Sequence, residues 1–342
     1  MSCRCFSCPA IAEYCRNNRL TWRLIYLLFL GQLTSFILAL TSFSSSWLAD
    51  LGVDAPLTQM LFTYVITAVV FGSILVSRQR KLLVPWYWYL LLGFIDVQGN
   101  YLVNKAYQYS SITSVTLLDC FTIPWVIVLT WFFLKTKYSL WQLIGAATCI
   151  LGLGLVLLSD AGVGGGGGSR PLLGDMLVVL GAVFFAMSNV GEEFFVKKKD
   201  LVEVVAMLGT FGTLVSLVQI SIFERSSLED ITWSTDIILA FVGYAFSCFA
   251  FYVSAPFVLK KGGAALLNLS LLTSDMWAVL VRIFFYRQKV DWLYYLAFGL
   301  VIIGLVIYSK CTKEDAFETT TENRHQSGYQ ALENQSADSA NE

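Results

Sequence analysis

The sequence predicts an all-α polytopic membrane protein: ten transmembrane helices arranged as two inverted five-helix repeats. Three observations carry that expectation. Of the 342 residues, 56% are hydrophobic and only 14% charged, against about 45–50% and about 25% in soluble domains. Ten mostly apolar stretches are each long enough to cross a bilayer. Finally, two halves on either side of a glycine-rich tether repeat the same register.

A span needs roughly twenty apolar residues to cross about 30 Å of hydrocarbon. On that criterion, helices are expected near 23–43, 56–77, 86–107, 111–134 and 139–158, then near 172–196, 201–223, 234–257, 262–285 and 291–309. They must be helices, because lipid cannot satisfy an open sheet edge. Only Gln108 to Ser110 separate the third span from the fourth, which implies a tight hairpin. The domain organisation follows: a cytosolic Cys/Arg N-terminus (1–22), a first repeat (23–158), a linker (159–171), a second repeat (172–309) and a polar tail (310–342). The N-terminus shows no short apolar core with a cleavage site, so the first span is expected to act as its own insertion signal. Gly164 to Gly168 make the linker a flexible tether. It lacks the lysine followed by Ser or Thr that a phosphate-binding loop needs. The tail, rich in Thr, Ser, Glu and Asn, cannot bury a core and is expected to be disordered.

Lysine and arginine set the orientation. With the N-terminus cytosolic, seventeen basic residues fall on cytosolic segments and four, Arg170, Arg225, Arg287 and Lys289, on the opposite side. An even number of spans then returns the tail to the cytosol. The halves match at a shift of about 152 residues: Trp125 meets Trp277, Phe132–Phe133 meets Phe284–Phe285, and Gly152–Leu153 meets Gly304–Leu305. Lys135 and Lys137 meet Arg287 and Lys289. Five spans per half is odd, so the second half is inverted, and two of the four exceptions to the charge rule become inverted copies of cytosolic residues. Inverted repeats with a site at their interface are a plan of secondary transporters.

Several chemistries are excluded. His325, in the tail, is the only histidine, so the membrane body holds neither a His-based metal site nor a Ser/His/Asp triad. No cofactor or metal is expected. Zinc on Cys3, Cys5, Cys8 and Cys15 would need four thiolates, but their spacing departs from the paired x₂₋₄ pattern; beside arginines these cysteines suit S-palmitoylation better.

The run Asn104–Lys–Ala–Tyr–Gln–Tyr–Ser–Ser–Ile–Thr–Ser–Val–Thr–Leu–Leu–Asp–Cys120 resembles the F-type branch of solute carrier family 35, in the drug/metabolite transporter superfamily. The resemblance extends from the first span to the tenth and includes the glycine-rich end of span five and Gly262–Gly263–Ala264–Ala265. It implies ten helices in two inverted repeats, spans five and ten peripheral, and the others around a central cavity. The expected function is therefore transport of a small organic solute by alternating access, with a nucleotide-, nucleoside- or sugar-related cargo. A membrane-embedded transferase would need a paired-carboxylate or His-Asp motif, and within the expected spans the only adjacent acidic pair is Glu192–Glu193. A non-transporting sensor would need a soluble domain or a long structured loop. The protein is not expected to be an enzyme.

Ionisable side chains at membrane depth cost about 2.5–3.5 kcal/mol on insertion scales and are usually functional. The expected substrate-binding residues are Asp96, Asn100, Asn104 and Lys105 in span three, Asp119 in span four, and Asn268, Asp275 and Arg282 in span nine. Asp96, Asn100 and Asn104, at i, i+4 and i+8, share one helix face. They line a cavity, or they glue helices by interhelical hydrogen bonds. Lys105 and Arg282 hold an anionic group, or snorkel to the interface. Glu192 and Glu193, just before Lys197–Lys199, read as a solvated cytosolic helix end. Asp119 and Asp275, one per half, are the candidates for proton coupling. The expected partners are the small-molecule substrate, the lipid bilayer and, in a homodimer, a second copy, with no nucleic acid. An adaptor would bind through Tyr329 and Leu332, a tyrosine-plus-bulky-apolar sorting pattern. The Golgi, the vacuole and the plasma membrane all fit as locations.

Overall fold

The computed structural model describes residues 9–78, 84–109, 115, 118–119, 121–162, 171–198, 200–229, 231–274, 277, 296 and 299–310, with backbone alone for 9–20, 46, 153, 156–162 and 171. The N-terminal Cys3, Cys5 and Cys8, the side chain of Cys15, residues 163–170 of the linker, Asp275, Arg282, Arg287, Lys289 and the tail with His325, Tyr329 and Leu332 lie outside that description.

The helices are α1 (Pro9–Asp50), α2 (Pro56–Ser77), α3 (Trp86–Ala106), α4 (Thr122–Phe133), α5 (Leu140–Gly162), α6 (Pro171–Lys198), α7 (Leu201–Phe223), the short α8 (Arg225–Glu229), α9 (Thr235–Leu271) and α10 (Gly299–Lys310). No strand occurs among the described residues. Among the described residues, five helical stretches are long and apolar enough to cross a membrane: Thr21–Asp50 of α1, α2, Leu172–Lys198 of α6, α7 and α9. Thr122–Phe133, Leu140–Gly152 and Gly299–Lys310 are shorter apolar helices.

The exposure pattern is that of a protein in lipid. Val76 is 76% exposed, Leu151 68% and Phe132 67%, while Thr63, Thr67 and Ser35 are fully buried. Water would not tolerate apolar surface on this scale; hydrocarbon does. The chain is a multi-pass membrane protein.

Two elements differ from the sequence expectation. Helix α1 runs well past the expected 23–43, and its Ser/Thr-rich end stays helical. The hydroxyls of Thr34, Thr41 and Ser44 donate to the carbonyls four residues back, at 2.9–3.1 Å, so they find partners without breaking the helix. Helix α9 covers the expected eighth span and the start of the ninth as one element, broken at Gly263. There φ is +81°, a left-handed conformation that glycine adopts without a Cβ clash.

Helix α1 packs on α9, α2 on α7, and α3 on both α6 and α7. The α2–α7 contact is close because Gly212 faces the Tyr64 ring: a Cβ there would stand 2.6 Å from it. Helices α5 and α10 meet at Gly145 and Gly304, and the Cys149 thiol donates to the Val301 carbonyl at 3.5 Å. Two helix starts are capped by carboxylates from elsewhere in the chain. Glu224 accepts from the backbone N–H of Leu57 at 2.6 Å and of Thr58 at 2.9 Å, holding the N-terminus of α2, whose N-cap Ala55 has no capping side chain. Glu193 accepts from the Ala264 N–H at 2.6 Å, just beyond the Gly263 break. A negative charge at a helix N-terminus meets both the orphan N–H groups and the positive end of the helix dipole.

Candidate substrate cavity

A cavity of about 160 Å³ lies among α1, α3, α4, α6 and α9. Helix α3 contributes its polar stripe, because positions four apart stack on one face. Asp96, Asn100 and Asn104 all line the cavity, and the same side chains also tie helices together. The Asp96 carboxylate accepts from the Tyr64 hydroxyl of α2 at 2.6 Å, from the Tyr252 hydroxyl of α9, and from the Ser188 hydroxyl of α6 at 2.9 Å. Asn100 donates to the Tyr252 oxygen at 3.2 Å. Asn104 donates to the Tyr244 oxygen at 3.1 Å and accepts from Ser45 of α1 at 3.4 Å. Lining and helix packing are thus one arrangement here, not alternatives.

Asp119 lines the cavity just ahead of α4, where the Thr122 hydroxyl donates to it at 3.4 Å. Asn268 lines it from the segment after Gly263; it accepts from Asn189 at 3.2 Å and donates to the Ala264 carbonyl at 2.8 Å. Lys105 stands apart from the lining. Asp54 holds its ammonium with both oxygens, at 2.5 and 2.7 Å, and Gln108 donates to the same carboxylate at 2.6 Å.

The acidic pair at the end of span six departs from the solvated helix end that Lys197–Lys199 suggest. Glu192 is 6% exposed and Glu193 3%. Glu193 accepts from Lys197 at 2.5 Å as well as from Ala264. Glu192 points the other way and lines the cavity. Among the described residues no hydrogen-bond donor reaches its carboxyl group, while Asp96 is within electrostatic reach. Sequence reasoning missed Glu192, and with it Tyr64, Tyr244, Tyr252 and Ser188. One available signal was the spacing of Phe185, Ser188, Asn189 and Glu192, which puts all four on one side of α6.

The lining carries a further regularity. Asp96 and Cys248, Asn100 and Tyr252, Val103 and Ala255, Asn104 and Pro256, Asp119 and Leu271, and Thr122 and Ser274 are six lining pairs. In each, the partners are 152 positions apart, the same separation as in the Asn100–Tyr252 hydrogen bond and the Cys149–Val301 contact.

Comparison with known proteins agrees with this architecture. The family profile of solute carrier family 35 matches residues 20–310. Solute carrier family 35 member F2 of Mus musculus is 36% identical over 302 residues, covering 86% of this chain and 80% of that protein. Its namesake from Xenopus tropicalis is 36% identical over 292 residues, covering 82% and 75%. An uncharacterised solute carrier family 35 member of Schizosaccharomyces pombe is 33% identical over 287 residues, covering 82% and 57%. A protein crystal structure aligns over 83% of this chain and 95% of its own, with a TM-score of 0.65 at 19% identity, a likeness of fold alone. With a membrane-type exterior, a polar cavity among its helices and a family match across the helical body, this chain belongs to solute carrier family 35, a family of membrane solute transporters.

Proposed function

We propose that the protein is a secondary transporter whose two inverted five-helix halves alternate access to the central cavity. The observation that carries this reading is the set of six lining pairs at a separation of 152 residues. Two halves related by a two-fold axis bring equivalent residues together only near that axis, so the Asn100–Tyr252 contact supports a cavity on it. The helix pairings support the same relation. If spans one and three correspond to six and eight, the α3–α6 contact is the counterpart of the α9–α1 contact, and the α2–α7 contact maps onto itself. Such an axis lets the halves exchange conformations, and that exchange is alternating access.

In this reading Asp96, Asn100, Asn104, Asp119 and Asn268 bind the solute, and Lys105 acts at the rim through its Asp54 pair. Asp275 and Arg282 complete the set from span nine. Carboxamides and hydroxyls at the wall suit a nucleoside- or sugar-related metabolite, whose hydroxyls and ring nitrogens need both donors and acceptors. Both termini face the cytosol. Coupling runs through Asp119 and Asp275, one in each half. The test is uptake into sealed vesicles containing the purified protein, with and without an imposed pH gradient. Asp119→Asn is expected to cut uptake while leaving the protein folded. Equal uptake by vesicles with and without protein would overturn the transporter reading, and gradient-independent uptake would overturn the coupling.

A further inference from the structure

Charge divides unequally within the cavity. Its lining carries three carboxylates, Asp96, Asp119 and Glu192, and among the described residues no lysine or arginine. The three differ in how far they are committed. Asp96 accepts from Tyr64, Tyr252 and Ser188, so its charge is spread over three hydroxyls that also hold α2, α6 and α9 together. Asp119 has the Thr122 hydroxyl. Glu192 is buried to the same degree as Asp96, yet no donor among the described residues reaches it. A buried carboxyl group without a donor is costly unless something positively charged or hydrogen-bond-donating arrives from the cavity. Aromatic side chains surround that space: Phe185 from the same helix, and Tyr244, Phe251 and Tyr252 from α9. Ring faces attract cations and repel anions.

We propose that Glu192 is the carboxylate that receives a positively charged nitrogen of the transported solute, with Asp96 holding the helices in place around it. This rests on the transporter reading but replaces its nucleoside- or sugar-related cargo with an organic cation, and it leaves Arg282 without a role toward the solute. A phosphorylated or carboxylate-bearing solute would bring a further negative charge into a space that already holds three.

The experiment is uptake of one defined mixture into vesicles containing the full chain: choline, tyramine and agmatine as cations, adenosine and glucose as neutral solutes, AMP and glucose 1-phosphate as anions. The expected result is protein-dependent accumulation of one or more cations. Glu192→Gln should lower it by about tenfold or more, as for loss of a charge-assisted hydrogen bond, with partial recovery in Glu192→Asp. Gel-filtration behaviour and unfolding midpoint should stay those of the wild type, because Glu192 holds no other described helix. Should the variants fail to fold, carbodiimide labelling of wild-type Glu192, read by peptide mass spectrometry, should be slowed by choline or tyramine and unaffected by AMP. Accumulation of neutral or anionic solutes alone would overturn the cation assignment and leave the transporter reading standing. Uptake of neutral solutes driven by a pH gradient and abolished by Glu192→Gln would make Glu192 a proton site, also against the proposal. Cation uptake unchanged in Glu192→Gln would remove Glu192 from the site, and no protein-dependent uptake of any solute would overturn both readings.

Discussion

Replacing Asp96 should damage the fold more than the equivalent change at Asp119, and the hydrogen bonds give the scale. Asp96→Ala leaves the hydroxyls of Tyr64, Tyr252 and Ser188 without their shared acceptor. Each buried group left unpaired costs about 1–3 kcal/mol. Tyr64 and Tyr252 oxygens stand 3.4 Å apart and can partly satisfy each other, so the loss should come to about 3–5 kcal/mol rather than the full sum. Asp96→Asn keeps one acceptor oxygen and turns the other position into a donor facing hydroxyl protons; about 1–2 kcal/mol is the expected cost. Asp119 has only the Thr122 hydroxyl at 3.4 Å, the outer limit of a hydrogen bond, so Asp119→Asn should cost under about 1 kcal/mol. The measurement is the unfolding midpoint of purified protein in detergent, followed by tryptophan fluorescence, for the wild type and the three variants. Tyr64→Phe and Tyr252→Phe, alone and combined with Asp96→Asn, should be non-additive, because they share one network. Asp96→Ala unfolding with the wild type, or Asp119→Asn proving the more damaging of the two Asn changes, would refute the assignment of Asp96 as the structural acid.

Gly212→Ala should destabilise by about 1–3 kcal/mol through overpacking, since its Cβ would meet the Tyr64 ring at 2.6 Å, whereas Gly72→Ala, with nothing within 4 Å, should be neutral or slightly stabilising. Glu224→Ala removes the acceptor for Leu57 and Thr58; a loss of about 2 kcal/mol, the upper range for a capping residue, is expected in the same unfolding assay. Lys105→Ala should change the midpoint little, under about 1 kcal/mol, because its partner Asp54 is 42% exposed and the pair is screened. A cysteine introduced as Gly166→Cys should react with a membrane-impermeant thiol reagent from the side opposite the termini; labelling from the cytosolic side would invert the proposed topology.

The elements most legible in the sequence are those that follow from composition and period. Apolar runs of about twenty residues marked α2 and α7 to within a residue of their structural bounds, 56–77 and 201–223. There, hydrophobicity falls abruptly and a Pro or an Asp stands at the start. The i, i+4, i+8 stripe of Asp96, Asn100 and Asn104 was legible for the same reason: polar residues on an apolar helix stand out, and helical spacing fixes their common face. What could not be read was which groups from other helices meet them. Tyr64, Tyr252 and Ser188 look like ordinary apolar or small residues of their own helices, and only the three-dimensional packing directs them at one carboxylate. Helix α1 outran its expected end because serine and threonine count as polar in a window, although in a helix they bond their own carbonyls.

Glu192 shows why the same rule of thumb can fail. Two adjacent glutamates five residues before three lysines read as a solvated helix end, because surface acids and bases usually mix there. Adjacent helical positions, however, point about 100° apart, so one residue of such a pair can face a neighbouring helix while the other faces a cavity. Here Glu193 turns toward Lys197 and the backbone at Ala264, which gives it both a cation and a helix N-terminus. Glu192 then necessarily points elsewhere, and the side of α6 it shares with Ser188 and Phe185 borders the cavity. Glu193 is thereby neutralised locally, whereas no cation among the described residues pairs with Glu192. The difference predicts opposite outcomes for two matched variants. Glu193→Gln should lower the unfolding midpoint, since it weakens the hold on the segment after Gly263, and should affect uptake only as far as that segment loosens. Glu192→Gln should leave the midpoint unchanged and reduce uptake. If both variants lost stability and uptake in the same proportion, the two glutamates would be acting as one structural unit, and the separation of their roles would be wrong.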